Sequence, residues 1–244
     1  NQNSILSRSI RVIDAVSRSR EGLRFSEVSK LLDSPSPSTV NKILKELTGE
    51  GVLQKTSEGR YTLGRKIYFW GRVMAAQNTP VQIIRQQMEY LHEKYQVSVN
   101  LFTHVDKTMF CLECFMNPRS PLLYPAGKSL PLHLSVQGAV FFIPPEQLDD
   151  PEFLEQEAEN HEETLLVEDL KKMILHARKT GIQDDFGLFY PGTHRFSVPI
   201  RENGQTVMTL GVGISLKRTR EGDLAEKIVS ELEYIRTRIE GSFE

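Results

Sequence analysis

Cysteine is almost missing from this sequence. Cys111 and Cys114 are the two in 244 residues, too few for a disulfide-stapled secreted scaffold. No apolar run approaches the ~20 residues that span a bilayer. The opening "NQNSILSRSIRV" lacks the apolar core of a signal peptide. No membrane partner is expected, and the expected location is the cytoplasm. Marks of a catalyst are missing too. No serine, cysteine or lysine has a visible base beside it in the sequence. Cys111-Leu-Glu-Cys114 has a C-x-x-C spacing, but zinc would want two further ligands and there is no second cysteine pair. A redox pair usually opens a helix, whereas these cysteines lie in strand-like alternation and should face opposite sides. A structural role is expected for them, with no metal, no cofactor and no catalytic residues.

Excess charge is absent only on average. The formal net charge is −2. Residues 1–72 carry 13 Lys/Arg against 7 Asp/Glu, and the remainder 17 against 25. A basic first third joined to an acidic remainder suggests one domain for a polyanion and another for something else. The length accommodates two domains of ordinary size. With 39% hydrophobic and 25% charged residues, the chain is able to bury a core.

The basic third has a readable pattern. Residues 5–18 read as a helix with Leu6, Ile10, Ile13 and Val16 near one face. "FSEVSKLLDS" begins a second, capped by Ser26 and packed through Val28, Leu31 and Leu32. "SPSP" is a turn. Ser36 can cap a third helix, with Pro37 at its first position, where a missing N–H costs nothing. Gly49 and Gly51 are stop candidates. "VLQKTSEGRYTLG" reads as two short strands around a Glu58-Gly59 turn. The third helix places Val40, Ile43, Leu44 and Leu47 on one side and Ser38, Asn41, Lys42 and Lys45 on the other. Taken alone, that second face is an ordinary solvated surface. Three helices followed by a hairpin, however, make a winged helix-turn-helix, whose third helix enters the DNA major groove. Ser38, Thr39, Asn41, Lys42 and Lys45 are then candidate DNA contacts. The lysines would neutralise phosphates, Asn41 would pair with an adenine edge, and Arg60 of the wing would lie near the backbone or minor groove.

Residues 65–78 are helical in pattern and apolar on much of their surface, around Ile67, Phe69 and Trp70. They read as a core helix or as a dimerising linker, since symmetric operators need two recognition helices at a fixed spacing. "PVQIIRQQMEYLHEKYQ" is amphipathic through Ile84, Met88, Leu91 and Tyr95. From residue 97 the period becomes two, with hairpin turns at Asp106-Lys107 and Asn203-Gly204. A short helix from about Ser135 is stopped by Pro144-Pro145, residues 146–163 read as a solvated acidic segment, and the helix "LVEDLKKMILHARKTG" closes at Gly181. "EGDLAEKIVSELEYIRTRIE" is a final amphipathic helix. Strands with helices before, between and after them make an α/β or α+β domain around one sheet.

"SILSRSIRVIDAVSRSREGLRFSEVSKLLDSPSPSTVNKILKELTGEGVLQKTSEGRYTLG" resembles the amino-terminal domain of the IclR family of bacterial transcription regulators. "STVNKILKEL" is similar to that family's "STVHRLL.TL" and "GRYTLG" to its "YRLG". "DSPSPST" departs from the pattern by one extra residue and by Pro37, where a Lys or other polar residue is common. The second half resembles the family's GAF-like effector domain. "GKSLPLHLSVQGAVFF" is similar to "G..LPLH.TA.GKA.LA", "ARKTGIQDD" to "R..GYA.DDEE", "PGTHRFSVPI" to "EGLRCVAAPV" and "TLGVGIS" to "ALSVSGP".

The resemblance implies three segments: a winged helix-turn-helix domain over 1–64, a linker helix over 65–79, and over 80–244 a GAF-like effector domain with a central antiparallel sheet. It implies double-stranded DNA, with a palindromic operator, and a homodimer or tetramer of this chain as partners. It also implies an effector pocket at Leu130, Leu132, Val136, Gln137, Asp185, Arg195, Gly211 and Gly213. Here the family's lysine after glycine is Ala139, and its serines are Gly211 and Gly213. Glycines remove hydroxyls and leave space, and Arg195 adds a planar donor fork suited to a carboxylate. The expected effector is therefore a small organic acid, with Asp185 orienting the fork. The alternative for Arg195 is a structural ion pair with Asp184 or Asp185. His133 and His194 are expected to be hydrogen-bonded structural groups.

A non-enzymatic regulator is the expectation. Two rivals stand beside it. One is an enzyme acting on a small acid through Cys114, His133 and Asp185, and the other is a DNA-binding module whose second domain binds only protein.

Overall fold

The computed structural model describes residues 4–32, 36–77, 79–120, 124–160, 165–220 and 222–243. The chain divides into two compact units, Asn1–Asn78 and Thr79–Glu244.

The first unit begins with α1 (Ile5–Arg18), β1 (Leu23–Arg24), α2 (Phe25–Leu31) and α3 (Pro37–Gly49). It continues through β2 (Leu53–Lys55), β3 (Arg60–Leu63) and α4 (Arg65–Gln77). Ser4 caps α1 by accepting the Ser7 N–H at 3.1 Å. Arg11 holds the end of α2 through Nη2 to the Leu31 carbonyl at 2.7 Å. The expected Ser26 cap is not what starts α2. Ser26 lies inside the helix, and the Glu27 carboxylate reaches back to the Arg24 N–H at 2.6 Å. A carboxylate three residues on thus does the work of a cap. Ser34 and Pro35 of the expected turn lie outside the described residues. Ser36 does cap α3, its Oγ accepting the Thr39 N–H at 3.3 Å. Pro37 takes the first helical position, as its missing N–H allows.

The small sheet has the order β1-β3-β2, so β1, which the sequence did not suggest, closes the wing against α2. Gly59 turns the wing at φ +77°, a left-handed value that suits glycine. Val12, Val16, Val28, Leu32, Val40, Ile43, Leu44, Leu53 and Tyr61 form the core. The buried face of α1 is therefore Val12 and Val16. Leu6 and Ile10 are exposed, with Ile5 beside them. On α4, Tyr68, Phe69, Trp70 and Met74 are likewise exposed.

The second unit runs α5 (Thr79–Tyr95), β4 (Ser98–Val105), β5 (Thr108–Phe115) and β6 (Ser129–Pro131). Next come α6 (Pro145–Leu148), α7 (Pro151–Glu159), α8 (Val167–Thr180) and β7 (Gln183–Asp184). β8 (Thr193–Glu202), β9 (Gln205–Ser215), α9 (Leu216–Thr219) and α10 (Leu224–Glu240) complete it. Its antiparallel sheet has the order β6-β5-β4-β9-β8-β7. Only a 3-10 turn, Ala139–Phe141, occupies the place of the helix expected from Ser135. The expected solvated segment after it is instead largely helical, as α6 and α7, because Leu148 and Leu154 are buried.

One face of the sheet (Val99, Leu101, Phe196, Val198, Leu210, Val212) packs against Ile84, Met88 and Leu91 of α5 and Ile228, Leu232 and Ile235 of α10. The other face is covered by residues 130–143, α8 and Phe189, forming a second core with Phe102, Met109 and Cys111. This second face also carries buried polar residues: Ser98, Asn100, Arg195, Ser197 and Thr209. Among the described residues no helix is long and apolar enough to cross a membrane.

Candidate functional site

On α3 the apolar positions Val40, Ile43 and Leu44 are buried in the first core, and Leu47 packs against it. That fixes the rotation of the helix. Ser38, Asn41, Lys42 and Lys45 are exposed as a consequence, and Thr39 is half-buried. The hydroxyls of Ser38 and Thr39 gather about the capping Ser36 Oγ at 2.8 and 2.9 Å. Lys42 lies 4.0 Å from Glu46, an exposed pair of the kind worth little in water.

Arg60 is placed differently from the expectation. Its Nη1 donates to the Gly22 carbonyl at 2.9 Å, and Glu21 and Glu27 carboxylates lie 3.7 Å away. The guanidinium ties the wing to the α1–α2 connection, and its side chain is only 22% exposed. The physical reason is register: Arg60 pairs with Arg24 of β1, beside the two acidic groups.

In the second unit, strand pairing sets two rows across the polar face: Ser98–Gly213–Arg195 and Asn100–Gly211–Ser197. Arg195 is not a free anion anchor. Its Nε donates to Asp185 Oδ2 at 2.6 Å, its backbone N–H to Asp185 Oδ1 at 2.9 Å, and its Nη2 to the Ser135 carbonyl at 3.0 Å. Its guanidinium carbon lies 4.4 Å from the Tyr190 ring centroid, and the Tyr190 and Tyr124 hydroxyls are 2.8 Å apart.

Nor does Gly211 leave open space. The Gln137 amide lies over it, with Nε2 bonded to the Phe196 and Val212 carbonyls at 2.8 and 2.9 Å. A Cβ at position 211 would meet Gln137 atoms at 2.5–2.9 Å. Gly138 adopts φ +87° and approaches Thr209 closely, so that only glycine fits. Val136 is buried in the second core, and Leu130 and Leu132 pack against it half-buried.

The cysteines correct another expectation. The register shifts between Leu101 and Phe102, so that Cys114 pairs with Asn100 and Cys111 with Phe102. A bulge of this kind, with Leu112 as the extra residue, puts both cysteines toward the second core. Burial, with the neighbouring Cys114 adding to it, pushes the Cys111 thiol up to about 12. It is therefore protonated and unreactive.

His133 Nδ1 is 2.8 Å from Glu157 Oε1, and Glu157 also accepts the Leu134 N–H. His194 Nε2 is 2.6 Å from Asp184 Oδ1. Asp184, Asp185 and His194 bring ligand-type atoms within 4.8 Å of one another. Each is already engaged, and the Arg195 guanidinium in their midst disfavours a metal cation.

Sequence reasoning missed Asn100, Ser197 and Thr209. Polar residues at alternate positions of otherwise apolar strands were the signal available.

The first unit is a winged helix-turn-helix, a DNA-binding plan, and the second is a sheet-and-helix unit with a polar buried face. Residues 5–57 match the IclR helix-turn-helix domain. No curated protein matches the chain in sequence. Among solved structures, an IclR transcriptional regulator from Alicyclobacillus acidocaldarius superposes with a TM-score of 0.79 at 16% identity, covering 98% of each chain. An IclR transcriptional regulator from Silicibacter sp. TM1040 gives 0.78 at 16% identity, over 98% of this chain and 96% of that one. An IclR homologue from Microbacterium hydrocarbonoxydans, complexed with 4-hydroxybenzoate, gives 0.73 at 19%, over 98% and 99%. Residues 5–57 are thus similar to the IclR helix-turn-helix domain, and the chain shares its fold with solved IclR-type regulators over nearly its whole length.

Proposed function

We propose that this regulator binds a palindromic operator as a homodimer through α3, and that a small molecule on the polar face of the second unit changes its operator affinity. The observation that carries the DNA reading is the rotation of α3, which buries Val40, Ile43 and Leu44 and leaves Asn41, Lys42 and Lys45 outward. Short hydrogen-bonding groups and cations on that face are what major-groove docking requires. Exposed apolar side chains on α1 and α4 support self-association, since a soluble monomer gains nothing from Leu6, Phe69 and Trp70 in water.

Effector binding and operator binding then share one coupling free energy. The 4-hydroxybenzoate complex of the Microbacterium homologue supports a small-molecule role for this domain. The organic acid expected from the sequence has that support, but the Asp185 pairing takes away its anchor in this chain. A non-enzymatic role is favoured because His133, Cys114 and Asp185 are each held by a different partner. Selection of bound fragments from a random DNA library tests the reading. Recovery of a two-fold symmetric sequence is the expected result, and recovery of no common sequence would contradict it. Sedimentation at micromolar concentration tests the dimer, a purely monomeric species being the adverse result.

A further inference from the structure

Buried polar atoms without partners are costly, so a cluster of them needs a reason. The second unit contains one. Among the described residues, both amide atoms of Asn100, the Thr209 hydroxyl and Nη1 of Arg195 are buried with no hydrogen-bond partner. All three residues lie on the same face of the sheet: Asn100 beside Gly211, Thr209 beside Phe102, and Arg195 beside Gly213.

The surroundings leave the Asn100 amide unpaired. Gly211 has no side chain, and Nε2 of the Gln137 amide above it is committed to the Phe196 and Val212 carbonyls. Asn100 interacts with the Cys111 thiol, a weak partner. A leucine would fill the position without any unmet hydrogen-bonding group. An amide at this position instead keeps hydrogen-bonding capacity that a bound molecule can meet.

Charge decides what kind. Arg195 and Asp185 are both buried and already neutralise each other. An anion added to this face would leave a net negative charge buried, with its desolvation uncompensated. An uncharged molecule can offer an acceptor to Arg195 Nη1 and a donor–acceptor pair to Asn100 while leaving the charge at zero. We propose that the effector is an uncharged molecule bearing amide, ketone or hydroxyl groups, with Asn100 as its specificity-determining contact. This rests on the reading of the second unit as an effector domain. The loop over the face is pinned by Gln137 and by the Arg195 bond to Ser135, so ligand entry requires that loop to lift.

The test is thermal unfolding of the full chain against matched pairs sharing one skeleton, such as 4-hydroxybenzoate with 4-hydroxybenzamide, benzoate with benzamide, and pyruvate with pyruvamide. The uncharged members are expected to raise Tm and the acids to leave it unchanged. Asn100→Leu is expected to raise the unliganded Tm, because it removes unmet polar atoms, and to weaken binding of any stabilising amide at least tenfold. Thr209→Val serves as a second, nearly isosteric variant, with the same expected rise in unliganded Tm. Acids that stabilise where their amides do not would overturn the proposal and leave the effector reading standing. A panel in which neither class stabilises removes the effector reading, and this proposal with it. Full retention of the amide's Tm shift in a folded Asn100→Leu chain ends the assigned role of Asn100.

Discussion

Arg195 and Asp185 meet through two hydrogen bonds, Nε to Oδ2 at 2.6 Å and backbone N–H to Oδ1 at 2.9 Å, with side chains 5% and 1% exposed. Burial without a partner would be severe for either charge, and together they are neutral. Removing one leaves the other stranded in a medium of low polarity, so each single substitution is expected to cost about 3–5 kcal/mol. Arg195→Met and Asp185→Asn should therefore each destabilise strongly. The double variant should cost well under the sum, because it strands nothing. Urea unfolding of the four proteins checks this, and strict additivity would show that the pair is not a unit.

Gly211 and Gln137 supply a second coupling. Gly211→Ala pushes a Cβ into the Gln137 amide. It is expected to cost about 1–3 kcal/mol as an overpacked core does. In a Gln137→Ala background the same change should cost much less. Equal costs in both backgrounds, measured by chemical denaturation, would show that the amide is not what occupies the space.

Much of this was legible in advance. The bounds of α1, the Ser36 cap and Pro37 start of α3, and the turns at Asp106-Lys107 and Asn203-Gly204 all follow from local chemistry that acts within a few residues. The missed features depend on contacts distant in sequence. Leu6 and Ile10 share the expected face with Val16, yet the first core takes in Val12 and Val16 and leaves those two exposed. Arg60 looks like a wing cation until β1 sets it beside Glu21 and Glu27. Cys111 and Cys114 fall on one face only because Leu112 bulges, which strict alternation cannot foresee. Gly211 reads as space until Gln137, far earlier in the chain, is laid over it. Asn100 does not stand out in the sequence, because an amide within a strand pattern carries no local sign that its partners are missing.

A pH dependence follows from the link between α5 and α10. Glu231 accepts from Lys94 Nζ at 2.8 Å and Tyr95 Oη at 2.9 Å. Burial pushes its carboxyl up, but the bonds from Lys94 and Tyr95 outweigh that and hold it below the ordinary 4.5. A depressed folded-state pKa means stabilisation that is present above the unfolded value and lost as pH falls through the folded one. Glu231→Gln should lower stability near neutrality and flatten the fall in stability below about pH 4.5. Urea midpoints measured from neutrality down into the acid range test this, an unchanged acid slope being the contrary result.

Arg60 and the α3 cations should separate cleanly in their effects. Arg60 bonds within its own domain, so Arg60→Ala is expected to lower the melting temperature while leaving the salt dependence of DNA binding as it was. Preserved stability with a reduced salt slope would return Arg60 to the DNA contacts.

The outward face of α3 is the proposed DNA-reading surface. The most direct measurement is the affinity of the full chain for its selected operator and for unrelated duplex, across a salt series, in Asn41→Ala, Lys42→Ala and Lys45→Ala. Each lysine change is expected to weaken binding to both duplexes and to lower the salt slope by roughly one. Asn41→Ala is expected to cost about 1–3 kcal/mol on the operator alone. Unchanged affinity for both duplexes in all three variants would make this face of α3 an ordinary solvated surface and contradict the account.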